Sequence, residues 1–364
     1  MIFCKKCILP NTRPNLIIES DGVCNACKTH KQNKNINWKS RKKEFLKIIK
    51  KFKSKNNYDC LIPVSGGKDS TWQVITLLKQ GLKPLAITYK SPARTSIGEQ
   101  NLKNLKKLGV DHIDFEINPN VEAEFMLQAF KKKGSTSIPM HFAIYNTPLN
   151  IALKFKIPLI IYGENSAKEY GGSKKDSNKK KIDYDWLSKF GATNKTDINY
   201  WYSKKLKEKD LTIYKRPSEN ILKKNEITPI FLGYFFKYDP INTFRIAKKY
   251  GFKNYKTSKK TGLYDFADID CDFISIHHWL KWYKFGFTRE MDNLSTEIRN
   301  NRITRDEAIK KIKKDKLPQE DIKKFCNFTK ISVNEFKKIA EKFINRNIWK
   351  KEKGKWILPD FIKN

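Results

Sequence analysis

Short apolar runs and helix-spaced apolar residues alternate along the first half of the chain. The apolar runs predict strands at residues 58–64, 85–89, 112–117 and 158–162. Between and before them, apolar positions recur every three or four residues, which predicts helices at residues 40–53, 71–80, 98–108, 121–132 and 140–155. Because strands that alternate with helices build parallel sheets, the pattern predicts an α/β fold with a doubly wound parallel sheet.

The regular pattern dissolves between residues 171 and 224. Residues 171–181 are small, polar and rich in lysine, which predicts a mobile loop. Aromatic residues follow at irregular spacing, so this stretch is either a lid over a substrate or an insertion that packs on its own aromatic side chains. An apolar run resumes at residues 228–238, a helix is predicted at 240–250, and short helices are predicted beyond residue 294.

The six residues after the first predicted strand carry the strongest chemical signal. They read Ser65-Gly66-Gly67-Lys68-Asp69-Ser70 and precede a predicted helix. Glycines let backbone N–H groups approach an anion, and the new helix adds unpaired N–H groups and the positive end of its dipole. Lys68 adds a positive charge for phosphate, and Asp69 offers oxygen to magnesium. The adjacent glycines exclude a Walker A loop, which has the pattern G-x-x-x-x-G-K-[ST].

Further polar residues follow the other predicted strands. The carboxyl ends of parallel strands meet at one edge of a sheet, so we expect Thr88, Gly163 and Glu164 to lie near the loop. A carboxylate such as Glu164 can bind magnesium or orient a substrate amide. The next polar residues along the chain are candidates for substrate contacts: Asn165, Glu169 and Tyr170.

A later amphipathic segment, residues 271–289, adds positive charge. Its Lys281, Lys284 and Arg289 supply enough charge to bind phosphates or a carboxylate. Adjacent histidines on a helix cannot face one direction, so at most one of His277 and His278 contributes. We count His277, Lys281 and Arg289 among the candidate substrate residues.

Four cysteines near the start of the chain form two C-x-x-C pairs. Cys4, Cys7, Cys24 and Cys27 leave sixteen residues between the pairs, a spacing typical of four-cysteine zinc sites. We therefore predict a structural zinc site, with unligated thiols, two disulfides or an iron–sulfur cluster as alternatives. His30 is a further candidate ligand.

The charge of the chain is strongly positive, at a formal +37, but it does not favour a nucleic-acid partner. The basic residues are 65 lysines and ten arginines, spread along the chain, whereas base contacts favour arginine. A polyanionic substrate or an acidic partner fits the charge. No apolar stretch approaches the ~20 residues of a membrane span, and no signal peptide is visible, so we expect a cytoplasmic enzyme.

The loop at residues 65–70 resembles the pyrophosphate loop of the ATP-pyrophosphatase, or PP-loop, families. Further motifs make the whole chain resemble the N-acetyl-sugar amidotransferases of bacterial surface-glycan biosynthesis. These motifs are the four-cysteine start, Tyr162-Gly163-Glu164-Asn165, Glu169-Tyr170-Gly171-Gly172, residues 271–289 and Glu297-Ile298-Arg299. The resemblance extends from about Cys4 to Phe336 and departs at Pro63, where related chains carry a small or aliphatic residue.

The resemblance implies an ATP- and magnesium-dependent enzyme that adenylates the acetamido oxygen of a sugar, after which ammonia displaces AMP and leaves an acetamidino group. It implies nucleotide-linked diacetamido uronic acids, or pseudaminic or legionaminic acid-type sugars, as substrates for O-antigen, capsule or flagellin glycans. It implies Lys68, Asp69 and Glu164 as catalytic residues. The implied ATP site comprises Ser65, Gly66, Gly67, Lys68, Asp69, Ser70, Thr88 and Gly163. The implied organisation is a zinc module (1–32), a PP-loop ATP-binding domain (33–170), an insertion (171–227), the rest of the catalytic domain (228–293) and a helical region (294–364).

The source of ammonia is not visible in the sequence. A glutaminase with an N-terminal nucleophile needs cysteine at position 2, which is Ile2, and none of the seven cysteines has the glycine-flanked context of a triad glutaminase. The resemblance implies a separate glutaminase and a cyclase-like partner. The alternative function is a PP-loop tRNA-modifying enzyme for thiolation or lysidine formation. A non-enzymatic zinc-binding nucleic-acid module is a third interpretation, but it leaves the loop unexplained.

Overall fold

The computed structural model describes residues 1–54, 57–256, 261–312 and 317–362. Its centre is a sheet of five parallel strands: β1 (Cys60–Pro63), β2 (Pro84–Tyr89), β3 (Asp111–Phe115), β4 (Leu159–Tyr162) and β5 (Thr228–Phe231). The strand order is β3-β2-β1-β4-β5. The predicted α/β fold with a parallel sheet is confirmed.

Helices surround the sheet and form most of the remaining chain. In chain order they are α1 (Asn25–Asn33), α2 (Trp38–Phe52), α3 (Lys68–Leu78), α4 (Ser96–Lys107), α5 (Pro119–Lys133), α6 (Ile138–Phe155), α7 (Ser166–Tyr170), α8 (Lys174–Ser177), α9 (Tyr184–Phe190), α10 (Glu219–Lys224), α11 (Leu232–Phe235), α12 (Pro240–Lys249), α13 (Phe273–Phe285), α14 (Arg289–Arg299), α15 (Arg305–Lys311), α16 (Gln319–Thr329) and α17 (Val333–Glu341). Two 3-10 helices span Ile198–Trp201 and Glu208–Tyr214, and a hairpin joins β6 (Lys350–Glu352) to β7 (Lys355–Ile357). No helix in the described ranges is long and apolar enough to cross a membrane.

The two faces of the sheet have separate cores, as a doubly wound fold requires. On one face, Phe45, Val74 and Leu105 from α2, α3 and α4 are buried against Ile62 and Ala86. On the other face, the core is formed by α6 and the insertion. The chain runs outward from β1 to β3 and then returns to β4 on the other side of β1. Ligands of such folds bind at this switch point, at the carboxyl ends of β1 and β4.

Pro63 is compatible with its place in the central strand. It is the last residue of β1 and pairs with Ile87 of β2. The ladder continues past it, since Val64 N–H donates to the Ile87 carbonyl at 2.8 Å. The missing N–H of proline therefore falls at the strand end, where it is tolerated.

The insertion is part of the main body of the protein. Residues 180–182 add an antiparallel edge to the sheet, because Phe231 N–H donates to the Lys180 carbonyl and Ile182 N–H to the Pro229 carbonyl, both at 3.0 Å. Residues 171–181, which were predicted to form a mobile loop, therefore contain the short helix α8 and a bridge to β5. The buried aromatic rings of the insertion pack on Phe231 of β5 and Phe125 of α5, rather than only on one another.

The N-terminal module and the C-terminal helices share one core. Cys4, Cys24 and Leu9 are buried in the same cluster as Met291 and Leu294 of α14. The beginning of the chain therefore packs directly on a helix near its end. Helices α13, α16 and α17 form a second cluster on α5, which confirms the predicted helical character of the C-terminal region, although the β6–β7 hairpin was not predicted.

Candidate active site at the carboxyl edge of the sheet

The loop between β1 and α3 is arranged to bind an anion. Gly66 has a φ of +83°, and a Cβ at this position would lie 2.8 Å from the Gly98 carbonyl oxygen. Ser65 N–H donates to Ser70 Oγ at 2.9 Å, and Gly67 N–H donates to Ser65 Oγ at 3.2 Å, so the loop is held by its own hydroxyls. Gly67 is the N-cap of α3 and has no side chain to cap the first turn. The N–H groups of that turn therefore face the cavity edge with the positive end of the helix dipole.

Lys68 and Asp69 form a close ion pair at the start of α3. Lys68 Nζ lies 2.6 Å from Asp69 Oδ2, and the lysine side chain is only 6% exposed. The other carboxylate oxygen, Asp69 Oδ1, is buried and makes no hydrogen bond within the described ranges. A buried carboxylate oxygen without a partner, beside a glycine-rich loop at a helix N-terminus, fits the oxygen ligands that magnesium requires.

Glu164 follows β4 and faces the loop across the switch point. Desolvation by the surrounding protein, followed by the negative charge of Asp69, raises the pKa of the Glu164 carboxyl to about 7, although the side chain remains exposed to the cavities. The neighbouring Gly163 is held by its carbonyl, which accepts a hydrogen bond from Gly233 N–H at 2.9 Å. Gln73 of α3 donates its side-chain amide to the Ile161 carbonyl, which ties the helix of the loop to β4. Sequence reasoning missed Gln73, since its amide lies one turn beyond the recognised motif.

Two cavities meet at Asp69 and Glu164. The first, the inner cavity, has a volume of about 250 Å³ and lies against the sheet, with aromatic walls from Tyr89, Tyr145 and Tyr162. The second, the outer cavity, has a volume of about 300 Å³ and lies in front of the loop. Ser65, Asp69, Ile144 and Glu164 line both. The two cavities therefore place an aromatic compartment and a polar compartment on either side of the same carboxylates.

The outer cavity is rich in acidic groups. Among its lining residues, Lys68 and Arg289 face five carboxylates: Asp69, Glu164, Glu169, Asp268 and Asp270. Burial raises the pKa of Glu169. Tyr238 and Phe266 flank Lys68, with ring centroids 5.9 Å from its ammonium nitrogen. The compartment can thus hold a cation, or a neutral polar group whose N–H bonds need acceptors.

Arg289 is fixed by two partners at the wall of the outer cavity. Its Nε donates to Asp268 Oδ2 at 2.8 Å, and a terminal nitrogen donates to the Tyr170 hydroxyl at 3.2 Å. Burial alone would raise the pKa of Asp268, but the Arg289 guanidinium and His278 hold it well below its usual range. Burial and the nearby Lys281 lower the pKa of His278 to about 4, so the imidazole is neutral at pH 7.

The segment that contributes Tyr264, Phe266 and Asp268 was not predicted as part of the site. The signal was present as an alternation of aromatic and acidic residues from Tyr264 to Asp270, just before the amphipathic segment. Asp268 has a φ of +55°, a left-handed conformation that local periodicity does not reveal.

Several predicted site residues lie at the two cavities. Ser65, Gly67, Lys68, Asp69, Ser70, Gly163, Glu164, Glu169, Tyr170 and Arg289 line one or both. Gly66 lines neither cavity, but its positive φ sets the shape of the loop. Two other residues lie outside both cavities and have internal partners. The Thr88 hydroxyl donates to the Val64 carbonyl at 2.8 Å. The Asn165 side chain accepts from Ala167 N–H and Trp186 Nε1 and donates to the Asp176 carbonyl, so it organises the start of the insertion.

His277 and Lys281 also lie outside the inner and outer cavities. Both line a third cavity on the other side of Tyr170. His277 Nδ1 lies 2.7 Å from the Ser137 hydroxyl, and burial lowers the pKa of this histidine well below its usual range. Helix α13 therefore contributes to two compartments, with Ile274 at the outer cavity and His277 and Lys281 at the third.

The four N-terminal cysteines form a compact cluster. Their sulfur atoms all lie within 4.8 Å of one another, and all four residues are buried. Cys7 and Cys24 N–H groups point at Cys4 Sγ, at 3.4 and 3.2 Å. Four sulfurs at this spacing, with N–H donors to stabilise a thiolate, fit a tetrahedral metal ion. His30 is not part of the cluster found in the described ranges.

Cys271 lines the outer cavity but is not an activated nucleophile. Its Sγ lies 2.9 Å from the Ser91 hydroxyl, and burial raises the pKa of its thiol to about 12. A thiol with this pKa is almost entirely protonated at pH 7, whereas the nucleophilic form is the thiolate.

The fold and the site define an α/β protein with a glycine-rich loop at the switch point of its sheet. Residues 235–362 match the family model described as LPS biosynthesis protein WbpG-like, C-terminal domain. The match covers about a third of the chain, which is similar there to the WbpG-like family of LPS biosynthesis proteins, and it supports the predicted surface-glycan family. The matched residues include Tyr238, Tyr264, Asp268 and Arg289 of the outer cavity.

The other comparisons are more distant. A predicted subunit of tRNA methyltransferase from Methanocaldococcus jannaschii is 16% identical, with 64% of this chain and 90% of that chain covered and a TM-score of 0.31. NMN synthetase from Francisella tularensis is 15% identical, with 53% and 94% covered and a TM-score of 0.27. No curated protein matches the chain. Similarities at these scores carry no argument about activity.

Proposed function

We propose that this chain is an ATP-dependent amidotransferase that converts an acetamido group of a sugar into an acetamidino group. The observation that carries the proposal is the meeting of two cavities at the anion-binding loop, at Asp69 and Glu164. ATP would place its adenosine in the aromatic inner cavity and its phosphates at the loop. The acetamido sugar would occupy the outer cavity, whose residues fall largely in the WbpG-like domain.

The reaction balances without a covalent bond to the protein. The acetamido oxygen attacks the α-phosphorus of ATP, and the bond to pyrophosphate breaks. Ammonia then adds to the amide carbon and loses a proton, and the C–O bond breaks so that AMP leaves with the former acetamido oxygen. The product is an amidine, together with AMP and pyrophosphate.

Each proposed role follows from the position of a side chain. The N–H groups of the first turn of α3 and the Lys68 ammonium would stabilise the departing pyrophosphate. Glu164 would accept the N–H of the acetamido group and turn its oxygen toward the phosphate. Asp69 would hold magnesium through its unpartnered Oδ1, and magnesium supplies positive charge that offsets the phosphates. The four cysteines would hold a structural zinc ion.

Ammonia would come from a separate protein. The cysteine that lines the site, Cys271, has a raised pKa and therefore does not serve as a glutaminase nucleophile. A glutaminase with a cyclase-like partner would supply ammonia to the outer cavity.

Oxygen-18 labelling tests the proposal directly. Purified protein is incubated with magnesium, ATP, ammonium and acetamido sugars labelled in the acetamido oxygen. The expected result is amidine formation with the label in AMP and none in pyrophosphate. ATP turnover that leaves every sugar unmodified, or an amidine formed with unlabelled AMP, would contradict the proposed reaction. ATP-dependent modification of tRNA by the same preparation would instead support the alternative class.

A further inference from the structure

The third cavity lies between three distant parts of the chain. Its volume is about 320 Å³, and its walls come from the N-terminal segment at Arg13, from α9 and the residues after it, and from α13. Tyr170 lines this cavity and also the outer cavity, so one aromatic side chain separates the two. A substrate that extends past Tyr170 would reach both compartments.

The charge of this cavity is entirely positive. Its lining residues include five cations, Arg13, Lys189, Lys195, Lys281 and Lys284, and no aspartate or glutamate. The adjoining outer cavity has the opposite character, with carboxylates in excess. We call the third cavity the cationic cavity.

Two of these cations, Lys281 and Lys284, are half-buried and have no ion pair within the described ranges. Arg13 already pairs with Asp292 at 2.7 Å, and Lys189 pairs with Asp185 at 3.0 Å. Within the described ranges, Lys281 has no carboxylate within ion-pair distance, and only longer-range attraction to Asp292 and Asp268 acts on it. Burial lowers the pKa of its ammonium group to about 8, so the charged form persists at neutral pH. A half-buried, unpaired ammonium that faces a cavity is stabilised when an anion enters.

A second observation points to the same ligand. Ser166 lines the cationic cavity, and its hydroxyl is buried without a hydrogen-bond partner in the part of the chain that the structure describes. Buried hydroxyls are almost always satisfied. Lys284 also has few hydrogen-bond partners, since its ammonium group donates one long hydrogen bond, of 3.4 Å, to the Lys133 carbonyl. A hydroxyl donor and two under-satisfied ammonium groups around one space match the requirements of an oxyanion.

We propose that the cationic cavity binds the anionic end of the sugar substrate, a carboxylate or a phosphate, while the acetamido group lies in the outer cavity. The proposal rests on the proposed function for the identity of the ligand, and on Lys281 and Ser166 for the site itself. It makes the enzyme selective for acidic sugars, because a neutral sugar leaves the ammonium of Lys281 unpaired. Tyr170 would then contact the sugar between its two ends.

Binding of two commercial probes tests the site and separates the two sources of anion. Uridine 5′-diphosphate carries only phosphates, and glucuronic acid carries only a carboxylate. Each is titrated calorimetrically into the zinc-loaded full-length chain, with magnesium and a non-hydrolysable ATP analogue present to fill the loop at Ser65. We expect at least one probe to bind. K281M should weaken that binding tenfold or more, S166A should weaken it several-fold, and K281R should retain most of it.

Two control variants locate the effect. K323M removes an exposed lysine of α16 that pairs with Glu320, and it should bind the probe as the unaltered chain does. K79A removes an exposed lysine at the other end of α3 and should also bind the probe as the unaltered chain does, while a higher concentration of the ATP analogue should not displace the probe, which distinguishes this cavity from the ATP site. Circular dichroism checks that K281M is folded.

Each result has a defined meaning. Binding of the diphosphate alone assigns the site to phosphate, and binding of glucuronic acid alone assigns it to a carboxylate. Failure of both probes to bind at 10 mM (roughly −2.7 kcal/mol, since 1 mM corresponds to about −4.1 kcal/mol), or equal binding by K281M and the unaltered chain, overturns the proposal. The assay does not involve amidine formation, so the labelling experiment and this one fail independently.

Discussion

Arg289 donates a hydrogen bond of 3.2 Å to the Tyr170 hydroxyl, although the two residues lie 119 positions apart in the chain. Tyr170 ends α7, just after β4, whereas Arg289 begins α14. The same α14 packs through Met291 and Leu294 on the four-cysteine module. The pair therefore connects the sheet edge and the outer cavity to the helix that packs on the N-terminal module, and we expect a change in the module to affect the site.

Loss of the metal from the cysteine cluster should weaken substrate binding as well as stability. We expect about one zinc ion per chain, and we expect C24S or chelation to lower the melting temperature, because the module has little core of its own. Since α14 then loses its packing surface, the KM for the sugar should rise while ATP still binds. Elemental analysis, thermal unfolding and steady-state kinetics measure these effects.

Cys326 provides the matched control for the zinc prediction. It is buried in α16, outside the cluster, so C326S should keep its zinc and its KM. Protein that contains iron and sulfide, or that contains no metal and is unaffected by chelation, would exclude the zinc site.

Lys68 and Asp69 should be essential for pyrophosphate release. K68A removes the ammonium at the loop and D69N removes the charge while keeping the shape, so each should lower the rate by about 10² to 10³, or roughly 3–4 kcal/mol of transition-state stabilisation. Pyrophosphate release at saturating ATP measures the effect. K79A, at the other end of α3, is the control and should retain full activity. Rates near normal in both loop variants would rule out the assigned roles.

Substitution of two glycines with positive φ should distinguish the cost of backbone strain from damage to the geometry of the loop. Gly66 has a φ of +83° and Gly81 a φ of +72°, but only at Gly66 would a Cβ meet other atoms, including the Gly98 carbonyl oxygen at 2.8 Å. We expect G81A to cost about 1 kcal/mol in unfolding free energy with normal turnover. G66A should displace the loop and abolish ATP turnover. Urea unfolding and ATP assays measure both variants, and full activity of G66A would contradict the assigned geometry.

Glu122 should make the stability of the protein depend on pH. Burial raises the pKa of this α5 carboxyl from 4.5 to about 8 in the folded chain, and its Oε1 has no partner in the described ranges. The folded state therefore binds the proton more tightly than the unfolded state. The stabilisation is fully present below pH 4.5 and is lost as the pH rises to about 8.

Urea unfolding between pH 5 and 8 measures this effect. The buried histidines act in the opposite sense, since burial lowers the pKa values of His277 and His278, so the effect of Glu122 is measured as a difference between variants. The unfolding free energy of the unaltered chain should fall relative to that of E122Q by about 1 kcal/mol per pH unit. E341Q, at an exposed site in α17, should follow the unaltered chain. Equal slopes in E122Q and the unaltered chain would show that Glu122 does not carry the pH dependence.

The fold could be predicted because the strands and helices of residues 33–170 each show the hydrophobic periodicity of their own type. The strand predicted at 85–89 spans Pro84–Tyr89 in the structure, and the helix predicted at 140–155 spans Ile138–Phe155. The differences are confined to the ends of the elements. The insertion could not be predicted in this way. Trp201 and Tyr214 are fully buried because they pack on Phe125, which lies in a helix far away in the sequence. No local periodicity encodes that contact.

The part of the candidate site that lies in one contiguous motif could be predicted from the sequence. The part that is assembled from distant segments could not. The loop residues lie at the cavities because strand, turn and helix are contiguous in sequence. Lys281 of α13 and Arg289 of α14 line different cavities, and the left-handed turn at Gly286, whose φ is +68°, lies between them. Charge alone grouped Lys281 with Arg289, although one faces the cationic cavity and the other the outer cavity.

Ammonium, but not glutamine, should support the reaction of the isolated chain. The cysteine at the site has a thiol pKa of about 12, so it offers almost no thiolate to attack glutamine at pH 7. With magnesium, ATP and an acidic acetamido sugar, ammonium should give amidine, whereas glutamine should give at most the background rate. Adding the glutaminase and its cyclase-like partner should restore glutamine-dependent turnover.

The excess of lysine on this chain should make that coupling sensitive to salt. Docking of a partner on a surface with a formal charge of +37 is strengthened by acidic residues on the partner, and such attraction is screened above about 0.15 M salt. We therefore expect glutamine-dependent turnover to fall with added salt while ammonium-dependent turnover is retained, measured side by side as amidine formed. C271S serves as the control for a hidden nucleophile. If the isolated chain uses glutamine and C271S does not, Cys271 is the nucleophile and the requirement for a partner is wrong.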